Sequence, residues 1–375
     1  MADRVAGVRL APYTTLRVGG AARAFATAHS GEELAALVAE ADRRGEPVLV
    51  LGGGSNLVVS DAGFDGLVVR VRSRGVEIAE ERGRVVLTAE AGEDWDALVA
   101  RTVAEGWSGV ECLSGIPGLV GSTPIQNVGA YGQEVAQTVS HVRVYDRRAG
   151  EVRDLRAERC GFAYRHSAFK ADLSRYVVLS VAYVLERSGR SAPVAYKELA
   201  ARLGVRLGAT VPLHDARAAV LDLRRGKGMV LDAADPDTYS AGSFFTNPVL
   251  AAPEAEELER RAPGHPRWDM PDGGVKVPAA WLIEHAGFHK GYSRGPARIS
   301  TKHTLALTNP GGPAVTGFPT DPEALAGSPT APAAPQEAPA TAADLLALAR
   351  EVREGVQAKF GVTLVNEPVL VGLEL

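Results

Sequence analysis

Three consecutive glycines, Gly52, Gly53 and Gly54, followed by Ser55 and Asn56, are a run whose residue types and spacing could do chemistry. Glycine tolerates positive φ, so such a run can turn successive backbone N–H groups toward one phosphate, with the Ser55 and Asn56 side chains as further donors. Residues 47–51 before it read as a short buried strand. The dinucleotide fingerprint requires a helix straight after the glycines. Here Leu57-Val58-Val59 follows, which is strand-like. A phosphate loop of some other α/β arrangement is one reading, and a plain Gly-rich turn is the other.

The second segment is longer. Ser114-Gly-Ile-Pro-Gly-Leu-Val-Gly-Ser122 leads into Pro124-Ile-Gln-Asn127-Val-Gly-Ala-Tyr-Gly132, with five glycines, two prolines and no charge between Glu111 and Glu134. That makes poor helix and poor strand. A loop of this kind wraps closely around something, offering backbone donors and small-residue clearance. A flat apolar cofactor with a pyrophosphate tail fits both Gly-rich loops; a tight structural loop without ligand is the alternative.

Loops need elements to hold them. Ser30-Gly-Glu-Glu33 is a capping box opening a helix that turns Leu34, Leu37, Val38 and Ala41 inward and stops at Gly45. A second helix is expected over 93–105, carrying Trp95, Leu98, Val99 and Val103. Residues 141–155 read as a hairpin around Arg147-Arg148-Ala149-Gly150, and 176–185 as a core strand. Helices are expected again over 196–203 and 214–225. Near the end, Leu345, Leu348, Val352, Val356 and Phe360 recur at helical spacing, with Thr341 to cap the start and Gly361 to stop it. Residues 362–372 read as a strand interrupted by Asn366-Glu367-Pro368.

Between these parts, 310–343 holds 8 of the chain's 23 prolines, three acidic residues and no Lys or Arg. Such a segment cannot bury enough apolar surface to offset its ordering entropy, so it reads as a disordered insertion between a main body, 1–309, and a C-terminal return, 344–375. The chain is otherwise ordinary, 46% hydrophobic and 23% charged, which excludes a fibrous or largely disordered protein. A net charge of −4 weighs against a nucleic-acid partner. No apolar run approaches the ~20 residues of a membrane span, and Met1-Ala2-Asp3-Arg4 leads into no signal core, so a cytoplasmic protein without membrane insertion is expected. Cys112 and Cys160 support neither a thiol metal site nor a disulfide framework, and no metal is expected.

Eight motifs in one order carry a resemblance. They are Thr15-Leu-Arg-Val-Gly-Gly20, Leu51-Gly-Gly-Gly-Ser-Asn56, Gly115-Ile-Pro-Gly118, Pro124-Ile-Gln-Asn-Val-Gly-Ala-Tyr-Gly132, Phe162-Ala-Tyr-Arg-His-Ser-Ala-Phe-Lys170, Ala241-Gly-Ser-Phe-Phe-Thr-Asn-Pro248, Lys276-Val-Pro-Ala-Ala-Trp-Leu-Ile283 and Gly361-Val-Thr-Leu-Val-Asn-Glu367. With them the chain resembles the UDP-N-acetylenolpyruvoylglucosamine reductases, flavoenzymes that make UDP-N-acetylmuramate for bacterial peptidoglycan. The resemblance implies an α+β fold: a two-lobed FAD-binding domain of the vanillyl-alcohol-oxidase type plus a smaller α+β substrate-binding lobe. The lobes are expected over 1–65 (joined by the return 344–375), 66–190 and 191–309. It implies non-covalent FAD, NADPH as co-substrate and a monomer acting on a sugar nucleotide.

Site residues follow from the same resemblance. Gly52, Gly53, Gly54, Ser55, Asn56 and Leu57, with Ile116, Gly121, Ser122, Asn127, Gly129 and Tyr131, match the positions that hold FAD. Arg165 matches the arginine at the enolpyruvyl carboxylate, where a guanidinium binds bidentately. Ser243 matches the proton donor, and Glu367 the C-terminal catalytic glutamate. Tyr196, Lys227, Asn247 and His303 match sugar-nucleotide contacts; Tyr196 puts the chain in the longer family type, with its substrate-capping tyrosine loop.

The chain departs from the family pattern in two places. Gly53 stands where some members carry an acidic residue, and the 310–343 insertion is foreign to it. A related FAD oxidase is a rival reading, but those often tether flavin through a His or Cys near the phosphate loop, where this chain has Asn56. A catalytically silent UDP-sugar-binding protein is the other rival, against which Arg165, Ser243 and Glu367 argue.

Overall fold

Over the first 190 residues the computed structural model, which describes residues 3–270, 273–313 and 338–375, sets five consecutive strands, from Val48 to Glu90, between the helices Gly31–Arg43 and Trp95–Ala104, so strand and helix alternate only in part. Most of the insertion expected to be disordered, 314–337, lies outside the described residues. The chain forms two compact units: Met1–Val8, Ala22–Gly53 and Asp65–Gly226 make the first, and Arg9–Ala21, Gly54–Phe64 and Lys227–Leu375 the second.

In the first unit Ser30 accepts the N–H of Glu33 and starts the helix Gly31–Arg43, with Leu34, Leu37, Val38 and Ala41 buried as their spacing requires. A four-stranded sheet runs in the order Val5–Arg9, Ala21–Ala28, Phe64–Val71, Val48–Leu51, the last pair parallel. A six-stranded antiparallel sheet is built on the long strand Tyr176–Arg187, which pairs with both Val139–Asp146 and Arg84–Glu90. The hairpin expected around residues 147–150 joins Val139–Asp146 to Glu151–Arg156. Trp95 and Tyr183 lie at the centre of the core, ring centroids 5.7 Å apart. Each fully buried side chain of this size contributes about 1.5–3 kcal/mol by leaving water.

The helices Lys197–Leu203 and Leu213–Gly226 also belong to this unit, where Leu199, Ala200, Ala219 and Val220 form a small core with Cys112 and Val194. The stretch 191–309 expected as one lobe is thus divided between the units after Gly226.

The second unit holds a four-stranded and a three-stranded sheet, and the helix Ala342–Phe360 crosses its core. Thr341 and Asp344 form a capping box at the helix start, and Gly361 ends it at φ 74°. Gly355, inside the helix, is there because a Cβ would meet the Phe288 ring at 2.4 Å. The strand expected over 362–372 shortens to Val369–Val371, parallel to Leu57–Val59. Pro368 has no N–H to give a ladder, and the Asn366 side chain donates to the Pro368 carbonyl instead. The α+β class expected from the sequence is the one observed. Among the described residues no helix is long and apolar enough to cross a membrane, and no group of three or more His, Cys, Asp or Glu could hold a metal.

Candidate active site

Backbone proximity places the Gly-rich loops within the first unit. An ideal Cβ on Gly53 would stand 2.7 Å from the Gly118 Cα, and one on Gly52 would stand 2.9 Å from Ser122 Oγ. The two Gly-rich loops read from the sequence therefore meet, with no room for a side chain between them. The second loop is pinned from behind. Trp95 N–H donates to Gly118 O at 3.1 Å, Val120 N–H to Glu93 O at 2.9 Å, and Gly121 N–H to Ala91 O at 2.9 Å. Gly121 is forced to be glycine because a Cβ would reach 2.6 Å from Ala91 Cβ. Ile116 is half-buried in the same loop. Uncharged, side-chain-poor loops locked at van der Waals distance fit a flat cofactor with a pyrophosphate.

Farther along, Asn127, Tyr131 and Arg165 sit at φ 45°, 49° and 52°. Left-handed backbone at a non-glycine residue costs on the order of 1–3 kcal/mol and survives only where surroundings enforce it. Asn127 is held by its own side chain, which donates to Glu134 Oε2 and Ala163 O and accepts from Ala136 N–H. Its side chain is thus spent on shaping the loop. Arg165 Nη2 donates to the carbonyl of Gly129 at 2.8 Å, joining the Tyr-Arg-His motif to the loop. Tyr131 and Tyr196 meet edge to face, centroids 5.5 Å apart, with Tyr196 exposed.

Arg224 is the residue that sequence reasoning missed here. Burial pushes its guanidinium down to about 10; Tyr131 and Asp96 oppose that shift, and Arg165 adds to it. Burial likewise raises the Tyr131 hydroxyl to about 12, partly offset by Arg224. Two arginines that repel each other beside a pair of tyrosines make a ready place for an anion. The sequence does offer Arg224-Arg225 just before Lys227, a good phosphate environment that is equally a common charge cluster at a helix C-terminus.

In the second unit a Cβ on Gly54, at φ 58°, would lie 2.0 Å from Tyr13 O, so this turn also excludes a side chain. Gly54 O accepts from Thr15 N–H, and Thr15 Oγ1–H donates to Ser240 O at 2.6 Å, tying the loop to the strand Ser240–Ser243. Ser243 follows Gly242, whose φ of 74° breaks the pairing register. One residue on, Phe244 O accepts the N–H of Glu367 at 2.8 Å. Asn56 Nδ2 donates to Glu367 O at 3.4 Å, and Asn56 O accepts Val369 N–H. Leu57 opens the strand that pairs with Val369–Val371. Ser243, Glu367 and Asn56, far apart in sequence, are thus neighbours, and Ser55 precedes them half-buried.

The remaining expected contacts stand on separate segments. Asn247 Oδ1 accepts Ala279 N–H and caps the helix Ala279–His285, leaving its amide N–H groups to donate elsewhere. Lys227 is half-buried just past the helix Leu213–Gly226, and His303, also half-buried, sits in a turn with its N–H on Ser300 Oγ.

Residues 22–156 match the FAD binding domain family, and residues 235–317 match the UDP-N-acetylenolpyruvoylglucosamine reductase C-terminal domain family. The UDP-N-acetylenolpyruvoylglucosamine reductase of Thermobifida fusca is 55% identical over 376 residues, covering 98% of each chain. That of Salinispora arenicola is 55% identical over 98% of this chain and 95% of its own. Among solved structures, the UDP-N-acetylenolpyruvylglucosamine reductase of Thermus caldophilus superposes with a TM-score of 0.58 at 24% identity, covering 99% of both chains.

Proposed function

The chain belongs to the UDP-N-acetylenolpyruvoylglucosamine reductase family, and from that membership we propose that it reduces the enolpyruvyl group of UDP-N-acetylenolpyruvoylglucosamine to UDP-N-acetylmuramate. NADPH is the reductant and FAD is held non-covalently. The product feeds peptidoglycan synthesis, and through it cell shape and division. The enzyme works in the cytoplasm, as a monomer, on small molecules alone.

The observation that carries this reading is the 2.8 Å bond from Glu367 N–H to Phe244 O, which brings the C-terminal glutamate beside the Ser243 strand. Gly52, Gly53, Gly54, Ser55, Asn56 and Leu57, with Ile116, Gly121, Ser122, Gly129 and Tyr131, would hold FAD, the loops fitting it because they leave no Cβ space. Bound there, FAD would carry hydride from NADPH to the vinyl carbon of the substrate.

The chain's own groups do the rest. Hydride addition leaves the electron pair of the double bond on the carbon next to the substrate carboxylate. Arg165 would bind that carboxylate with two N–H groups and stabilise the charge as it spreads toward oxygen. Ser243 Oγ–H gives its proton to the carbanionic carbon and recovers one from solvent. A hydroxyl is a weak acid, but a carbanion is a far stronger base. Glu367 works with Arg165 around the developing enolate. Tyr196, Lys227, Asn247 and His303 bind the diphosphate and uridine, Tyr196 as the exposed cap.

Anaerobic NADPH should bleach the yellow protein, and the enolpyruvyl sugar nucleotide should restore its colour. A protein bleached by NADPH but left unchanged by that substrate would overturn the reading.

A further inference from the structure

The helix Trp95–Ala104 begins against the 113–118 stretch of the second Gly-rich loop. Its first residue gives the backbone N–H to Gly118 O and the indole N–H to Leu113 O, both at 3.1 Å. The next residue, Asp96, accepts Gly115 N–H at 2.6 Å through Oδ1. The same carboxylate takes Arg217 at two points, Nη1 to Oδ1 at 2.6 Å and Nη2 to Oδ2 at 2.9 Å. Arg217 keeps 17% of its side chain exposed and Asp96 35%, so the pair is largely withdrawn from solvent. The Arg217 hydrogen bond, the Gly115 amide and Arg217's charge hold the Asp96 carboxyl below the usual carboxylate range, against its desolvation.

Arg217 lies on the helix Leu213–Gly226. Arg224 is two turns farther along the same face, where Tyr131 and Arg165 act on it. One carboxylate therefore touches the cofactor loop directly and, through Arg217, fixes the helix that carries the half-buried Arg224. Asp96 has enough lone pairs for all three donors; no neutral side chain of that length does.

We propose that Asp96 is a positioning residue that couples the 113–118 loop to Arg224, so that FAD and the sugar nucleotide tighten each other's binding. This rests on the reading of the loops as the FAD site. Linkage makes the coupling reciprocal, so it can be measured from either ligand.

Dilution of the full-length holoenzyme, followed by the rise of free flavin fluorescence, gives the FAD dissociation constant with and without saturating UDP-N-acetylmuramate. In the wild type the nucleotide should lower it about fivefold. In Arg217→Met, which leaves the Asp96–Gly115 bond intact, FAD alone should bind within about twofold of wild type, while the nucleotide effect falls to nearly one and KM for the enolpyruvyl nucleotide rises more than kcat falls. Arg217→Lys should recover part of the effect and serves if the Met variant does not fold. A wild-type ratio near one, or an unchanged ratio in both Arg217 variants, overturns the inference while leaving the reaction untouched. A wild-type protein without FAD overturns the reading on which it rests.

Discussion

The side-chain oxygen of Asn309 accepts the backbone N–H of Ala340 at 2.7 Å, across 31 positions of sequence. Asn309 is fully buried, and its Nδ2 donates to Leu16 O at 3.0 Å. Both ends of the Pro- and Ala-rich insertion are therefore fastened at one side chain, independent of what lies between them.

That arrangement separates two experiments. Replacing 314–337 with a short Gly-Ser linker should leave thermal stability and both half-reactions nearly unchanged, because loop-closure entropy moves by only about 0.6 kcal/mol per doubling of length. Asn309→Ala should instead cost about 2–4 kcal/mol, since it strands a buried carbonyl and a buried N–H. Thermal denaturation reads both. Activity lost more than about tenfold in the deletion, at normal FAD content, would show that the insertion serves the site.

Gly53→Ala should release flavin. The new Cβ would meet Gly118 Cα at 2.7 Å, and backbone on both sides cannot yield without parting the loops. A destabilisation of about 1–3 kcal/mol is expected from such overpacking, together with colourless protein after dialysis. Gly226→Ala is the control: nothing lies within 4 Å of its Cβ, so it should be neutral. Retention of flavin by Gly53→Ala equal to that of the control would show that the contact is dispensable.

Local signals were legible where residue and neighbour lie within a few positions. Thr341 and Asp344, or Ser30 and Glu33, announce their helices because a cap bonds three residues ahead. Leu57-Val58-Val59 excluded a helix after the glycines for the same reason, and the structure has a strand there. The Asp96–Arg217 pair and the burial of Arg224 were not legible, since an exposed-looking charge gives no sign of a partner 121 residues away. The limit at Gly226 was hidden for a related reason: Val220 finds Cys112 and Val194 only in three dimensions.

Flavin attachment through a thiol is disfavoured by the two cysteines themselves. Both are buried, and desolvation pushes Cys112 up to about 12 and Cys160 up to about 11, so neither offers thiolate at neutral pH. Acid precipitation should therefore send all yellow colour into the supernatant. Iodoacetamide at neutral pH should modify neither cysteine in the native protein, by mass. Flavin left in the pellet would contradict the non-covalent reading.

Ser243 allows the sharpest separation of roles. It ends the strand Ser240–Ser243 after a left-handed glycine, and its successor is bonded to Glu367. If it were only a turn residue, Ser243→Ala would change little. As the proton donor it must divide the two half-reactions. Reduction by NADPH needs no proton at the substrate carbon, so that half should proceed near the wild-type rate. Reoxidation by the enolpyruvyl nucleotide should fall by ~10²–10⁴-fold, because hydride addition without protonation leaves a carbanion that returns its hydride. On the barrier that is ~3–5.5 kcal/mol. Ser243→Cys should recover part of the rate, since a thiol donates a proton from nearly the same place. Stopped-flow absorbance of the flavin follows both halves in one sample. Equal slowing of both halves, or none in either, would remove Ser243 from the chemistry and leave the proton to water or Glu367.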